Sequence, residues 1–249
     1  MSSPNRFANI GFDDFRRLAT DESLSNYERI GFPDSYRDGF ELAIFADIRR
    51  KLTNLESSGA NVLDIGPGCS DLPAMLIDLC NDKSHQLVLV DSAEMLDRLP
   101  NAPFVTKVAA RYPDCPELIG NHQGLLDAIL CYSVLQYVVT DGSVFGFLDS
   151  ALSLLAPGGQ MLIGDIPNVS KRKRFFSSAA GVQFHKQFMQ TTESPDIAFN
   201  QLEHGQIDDA VVFSLLQRAR LAGFDAYVMP QDPALPMGNR REDILIVRP

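Results

Sequence analysis

Between residues 61 and 166 short β-rich runs alternate with helical patterns, and this alternation constrains the fold more than any other feature of the chain. Strands that recur one helix apart pair in parallel, because each crossover must travel back over a face of the sheet before the next strand can start. The candidate strands are 62–65, 87–90, 104–108, 128–131 and 161–163. The first two and the fifth lack apolar/polar alternation, as expected of strands covered by helices on both faces. Helical patterns occupy 72–80 and 144–155, and the second is expected to stop at Leu155-Ala-Pro-Gly-Gly159, with glycine as a left-handed cap and proline barring continuation. A last helix, 207–221, presents Val211, Val212, Leu215 and Leu216 on one apolar side and precedes strand candidates 226–229 and 244–247. The Pro-rich connection between those two strands is too short for a crossover helix, so they should be antiparallel neighbours. Ahead of the alternation, residues up to 55 form a helical preface in which Leu42, Phe45, Ile48 and Leu52 recur at helical spacing.

The sharpest local signal is Val62-Leu-Asp-Ile-Gly-Pro-Gly-Cys-Ser-Asp-Leu-Pro73. A buried strand enters a glycine turn and a helix follows, so main-chain N–H groups face whatever binds there. A phosphate loop would need GxxxxGK[ST], and no lysine is present; a dinucleotide fingerprint would need glycine where Asp71 stands. Asp91 ends the second strand, 25 residues after Gly66. An acid at the carboxyl end of a parallel strand can accept both hydroxyls of a ribose, which points to a nucleoside. The plainer readings are a tight turn for Gly66 and Gly68 and an N-cap role for Asp91 ahead of Ser-Ala-Glu-Met-Leu.

In order and spacing, VLDIGPGCSDLP, LVLVDSAEML, LLDAILCYSVLQYV and LLAPGGQMLIGD resemble the motifs of class I S-adenosylmethionine-dependent methyltransferases. The resemblance spans about residues 61–165, and the closing helix and two strands match that family's ending. It implies a doubly wound α/β fold with a mostly parallel seven-stranded sheet, order 3-2-1-4-5-7-6, the last strand antiparallel. It implies S-adenosyl-L-methionine as cofactor, with Asp64, Gly66, Pro67 and Gly68 around the methionine part, Asp91 and Ser92 at the ribose, and Cys131, Tyr132 and Ser133 under the sulfonium. The family often has an adenine-binding acid after the third strand; here that stretch is Val108-Ala-Ala-Arg-Tyr-Pro-Asp114, with Asp114 late, so the adenine contact is unassigned. The preface resembles the amino-terminal lid of many small-molecule methyltransferases, with Tyr27, Tyr36 or Arg37 as candidates for the carboxylate end of the cofactor. The expected organisation is thus a lid at 1–55 and a methyltransferase domain at 56–249, whose insertion 166–206 forms a substrate cap. A cofactor-binding protein without catalysis, and a nicotinamide-dependent oxidoreductase, are the competing readings.

Methyl transfer from a sulfonium is an in-line displacement in which the protein mainly aligns reactants and removes water. For a hydroxyl acceptor a base is useful, and His185, His204 and Asp165 are the catalytic candidates; for the histidines, surface or packing roles compete. The run Lys171-Arg-Lys-Arg174 begins six residues after Asp165 and suggests an anionic acceptor, such as a phosphorylated metabolite or a nucleotide-linked sugar, or else a solvated helix start.

Charge narrows the partners. Of 249 residues, 32 are acidic and 22 basic, a net charge of −10, which disfavours nucleic acid and anionic membranes as partners. The longest apolar run, 125–139, is broken by Asp127 and Gln136 and is shorter than the about 18 residues that a membrane span requires. Cys69, Cys80, Cys115 and Cys131 form no CxxC and have no histidine at ligand spacing, so no metal site is expected. The first residues carry acids and arginines where an export signal needs an apolar stretch, and a reducing cytoplasm is the expected location.

Overall fold

The computed structural model describes residues 10–201 and 203–249; the first nine residues of the expected leaderless start lie outside them. In chain order, α1 (Phe12–Thr20), α2 (Asn26–Arg29) and α3 (Glu41–Lys51) precede β1 (Asn61–Ile65). Then come α4 (Asp71–Lys83), β2 (Gln86–Asp91), α5 (Ala93–Leu96), β3 (Val105–Ala109), α6 (Pro116–His122) and β4 (Leu126–Tyr132). They are followed by α7 (Leu135–Asp141), α8 (Val144–Leu154), β5 (Leu155–Pro167), α9 (Val169–Phe176), α10 (Ala179–Met189), α11 (Asp209–Leu221), β6 (Asp225–Pro230) and β7 (Arg241–Val247).

The strands form one sheet of order β3-β2-β1-β4-β5-β7-β6, parallel from β3 to β5, with β7 antiparallel to both neighbours. This is the expected topology. The absence of alternation in β1, β2 and β5 has the expected cause: the sheet separates two apolar layers. Leu63, Ile65, Ile129, Ile163 and Ile244 pack with α8 and α11 residues such as Phe147 and Leu215. Val62, Leu87, Leu89, Leu130 and Leu162 pack with Ile44, Ile48, Leu76 and Cys80 of α3 and α4. Among the described residues no helix is long and apolar enough to cross a membrane.

Three details differ from expectation. Phe45 and Ile48 of α3 and Leu52 just after it are buried, but Leu42 is 76% exposed, and Ile44, one residue before Phe45, joins the apolar face instead. The helix before β5 ends at Leu154 without a glycine cap. Leu155 already pairs with Leu126, and Gly158 takes its positive φ of 76° inside β5, at the irregular start of its pairing with β4. The N-cap of α5 is Ser92, whose hydroxyl accepts from Met95 N, so Asp91 is free of that role.

Candidate functional site

The glycine turn, the carboxyl ends of β1, β2 and β4 and the preface enclose a cavity of about 330 Å³. Gly66 and Gly68 both have positive φ, 70° and 66°. A Cβ on Gly66 would stand 2.7 Å from Cγ2 of Val134, and one on Gly68 2.7 Å from Cγ2 of Ile30. The turn is therefore closed from both sides, and only glycine leaves main chain bare to the cavity. Asp91 is tied into the same turn: its Oδ2 accepts from Gly68 N at 3.0 Å and its Oδ1 from Ser92 N at 2.6 Å. Burial pushes its carboxyl up to about 6 against the pull of those two N–H donors. Ile65, Val90, Met95, Tyr112 and Phe147 supply apolar walls, and Phe15, edge-on to Tyr137 at 4.8 Å, helps to close the top.

Of the residues expected around a cofactor, Gly66, Pro67, Gly68, Asp91, Tyr132, Ser133 and Arg37 line this cavity. Four others sit behind it. Ser92 caps α5. Cys131 is fully buried within β4, where burial raises its thiol far above the ordinary range, as suits a packing residue. Tyr27 is half-buried in α2, with Asp71 and Glu41 as charged neighbours. Asp64 shares the α3/α4 side of the sheet with Val62, one pleat away from the cavity-lining Ile65. Burial, and secondarily the Asp91 charge, push Asp64 up to about 8, so it is a neutral acid at pH 7. In this window the native state holds a proton that the unfolded chain has released, so stability falls as pH rises from 3.8 to about 8. Asp64→Asn is expected to flatten that fall: its gain over the wild type in urea midpoint should grow from pH 5 to pH 8. A constant offset across that range would refute the buried-acid assignment.

Sequence reasoning left the adenine contact unassigned; Ala110, Arg111, Tyr112, Pro113 and Asp114, which follow β3, all line the cavity. The aromatic residues Phe12, Phe15 and Phe32 were also missed; their only signal was an apolar preface residue every few positions.

Asp165 is aimed by a bulge. Between the pairs Ile163↔Ile244 and Ile166↔Glu242, β5 carries one extra residue, and Asp165 takes φ 59° there while its N donates to Asp243 Oδ1 at 2.8 Å. Its Oδ2 accepts from Ser133 Oγ at 2.5 Å, Arg241 Nη1 at 2.8 Å and Arg37 Nη2 at 3.2 Å. Arg37 also lies over the rings of Phe32 and Tyr132, at 4.4 and 5.6 Å. The result ties the preface to the ends of β4 and β5. Asp165 is one layer behind the cavity wall, with its lone pairs committed to donors.

The two histidines stand elsewhere. His185 is on α10 with its ring edge-on to Phe176 at 6.2 Å, and His204 is exposed; neither lines the cavity. The basic run is also matched from within the chain. Arg172 and Lys173 pair with Glu203, both at 2.9 Å, Arg174 pairs with Asp209 at 2.5 Å, and Lys171 donates to the Arg241 carbonyl at 2.6 Å.

No family model and no curated protein matches the sequence. Solved structures do. A plantazolicin methyltransferase, BpumL, in complex with S-adenosylhomocysteine and a triazolic desmethyl-plantazolicin analogue, is 13% identical, with TM-score 0.57 over 95% of this chain and 99% of that one. The N-methyltransferase NodS from Bradyrhizobium japonicum WM9, also with S-adenosyl-L-homocysteine, is 14% identical, with TM-score 0.54 over 96% and 98%. The CurJ carbon methyltransferase is 15% identical, with TM-score 0.56 over 95% of this chain, which spans 64% of that longer one. At these identities the likeness establishes the fold alone, one that this chain shares with these methyltransferase structures.

Proposed function

We propose that this chain is an S-adenosylmethionine-dependent methyltransferase acting on oxygen or nitrogen of a small-molecule acceptor. One observation carries the reading: a half-buried carboxylate at the end of β2, Asp91, accepts from the main chain of a glycine turn that lines the cavity and has no room for a Cβ at Gly66 or Gly68. In this reading Asp91 accepts from the ribose hydroxyls, and Gly66, Pro67 and Gly68 bring bare main chain to the methionine part. Arg37 faces the carboxylate end, residues 110–114 border the base, and Phe12, Phe15 and Phe32 exclude water as a lid. The bound cofactor supplies an electrophilic methyl group. Asp165 acts through Ser133 and Arg37 as a positioning residue, and the placement of His185 and His204 gives no support to either as a base. A cavity of about 330 Å³ and a net charge of −10 favour a small molecule over nucleic acid.

Titration calorimetry with S-adenosylhomocysteine tests this. Binding is expected at pH 7.5, with Asp91→Ala weakening it by at least about 100-fold, since two hydrogen bonds to a charged group are worth about 1.5–3 kcal/mol each. Because Asp91 ionises at about 6, wild-type affinity should decline as pH falls below 6. Absence of binding, or binding of NADH in its place, rejects the reading. Binding with no methyl transfer from labelled cofactor to any small-molecule extract leaves a cofactor-binding protein instead.

A further inference from the structure

Among the described residues, every arginine but one donates a guanidinium N–H to a protein acceptor. Arg111, Arg220 and Arg248 reach main-chain carbonyls, and those elsewhere, from Arg16 to Arg241, pair with carboxylates. The exception is Arg240. It is half-buried, and its guanidinium lies over the Phe176 ring with Cζ 5.8 Å from the centroid. Burial disfavours its charge; nearby Tyr36 offsets this only in part, and Arg241 and Arg172 add repulsion.

Arg172 and Arg241 each have a carboxylate of their own, Glu203 and Asp165, whereas the half-buried Arg240 has none. The aromatic contact uses none of its N–H groups, and the in-plane N–H fork of a guanidinium is the edge that grips a carboxylate or phosphate in two parallel hydrogen bonds. The position is informative as well. β7 runs antiparallel, so Arg240, just before its first residue, stands at the carboxyl end of β5, on the same edge of the sheet as Asp91 with β1, β4 and β5 between them. Its neighbour Arg241 holds Asp165 and lies over Phe32, a wall of the cavity, with Cζ 5.8 Å from that ring's centroid.

We propose that Arg240, beside Phe176 and flanked by Tyr36, binds a carboxylate or phosphate group of the acceptor and so orients the acceptor's nucleophilic atom into the cavity. The inference rests on the methyltransferase reading and moves the anion site away from the run 171–174, in which Arg172 and Lys173 pair with Glu203 and Arg174 with Asp209. The test is an NMR titration of the arginine Nε–H signals with inorganic phosphate and, separately, with acetate at constant ionic strength, on protein with and without S-adenosylhomocysteine. One of the two anions should shift the Arg240 signal saturably, and the tighter one identifies the acceptor's acidic group. Arg240→Gln should weaken that binding at least about tenfold and Arg240→Lys less, because charge survives while the fork is lost. Arg174→Gln should leave it unchanged, and none of the three should alter S-adenosylhomocysteine affinity. A non-saturable response to both anions, or equal binding by Arg240→Gln, overturns the proposal. If S-adenosylhomocysteine itself fails to bind, the methyltransferase reading falls while the anion titration of the unliganded protein still decides the role of Arg240.

Discussion

Gly66→Val is expected to reduce S-adenosylhomocysteine affinity by more than about 100-fold while the far-ultraviolet circular dichroism spectrum keeps its wild-type shape. Valine at φ 70° is strained by about 1–2 kcal/mol on backbone grounds alone. Its Cβ would start 2.7 Å from Val134 Cγ2, so either the turn moves or the start of α7 does. Both movements displace main chain that is proposed to face the cofactor. The loss separates into two parts by design: Gly66→Ala with Val134→Ala removes the collision and keeps the strained φ, so it should recover part of the affinity lost by Gly66→Ala alone. Affinity within threefold of wild type for Gly66→Val would mean that the turn takes no part in binding.

Lys51→Met is expected to cost about 3–5 kcal/mol of stability, the range for breaking a buried ion pair from one side. Lys51 Nζ donates to Asp47 Oδ2 at 2.5 Å and to Asp243 Oδ2 at 2.6 Å, and all three side chains are at least nine-tenths buried. Methionine fills similar volume but leaves two carboxylates in the interior, of which only Asp47 retains a cation, Arg50 at 2.9 Å. Burial already raises the Asp243 carboxyl, with Lys51 opposing it. Without the lysine, proton uptake becomes the way out, so the defect measured by urea unfolding should shrink from pH 8 to pH 5. Lys51→Met/Asp243→Asn should be more stable than Lys51→Met at pH 8. A pH-independent defect would show that lost packing, not stranded charge, is responsible.

The parts of this site that were legible are local in sequence. A strand, a glycine turn and a helix within a dozen residues, followed by an acid closing the next strand, specify the Gly66 to Asp91 arrangement because parallel pairing brings the ends of β1 and β2 together. The basic run left two readings open for the complementary reason. Its counter-charges, Glu203 and Asp209, come from about thirty residues further along, and a net charge summed over neighbours cannot contain them. The same holds for Lys51, which reads as the polar end of an amphipathic helix and becomes an interior cation only because β7 delivers Asp243 beneath it. Asp165 illustrates a third case: the acid at the end of the fifth strand was visible, but its direction comes from one extra residue relative to β7.

The sequence by itself determined the order and type of elements, the crossovers and the glycine turn, because hydrophobic periodicity and backbone permissiveness act over a few residues. The tertiary structure decided which charges are spent and which are free: Arg174, a member of the conspicuous run, is neutralised by Asp209, while Arg240, unremarkable in the chain, keeps its donors unused beside Phe176. The physical reason is that an electrostatic interaction depends on distance through space and on exclusion of water, and both are set only when strands and helices remote in sequence close around the same point.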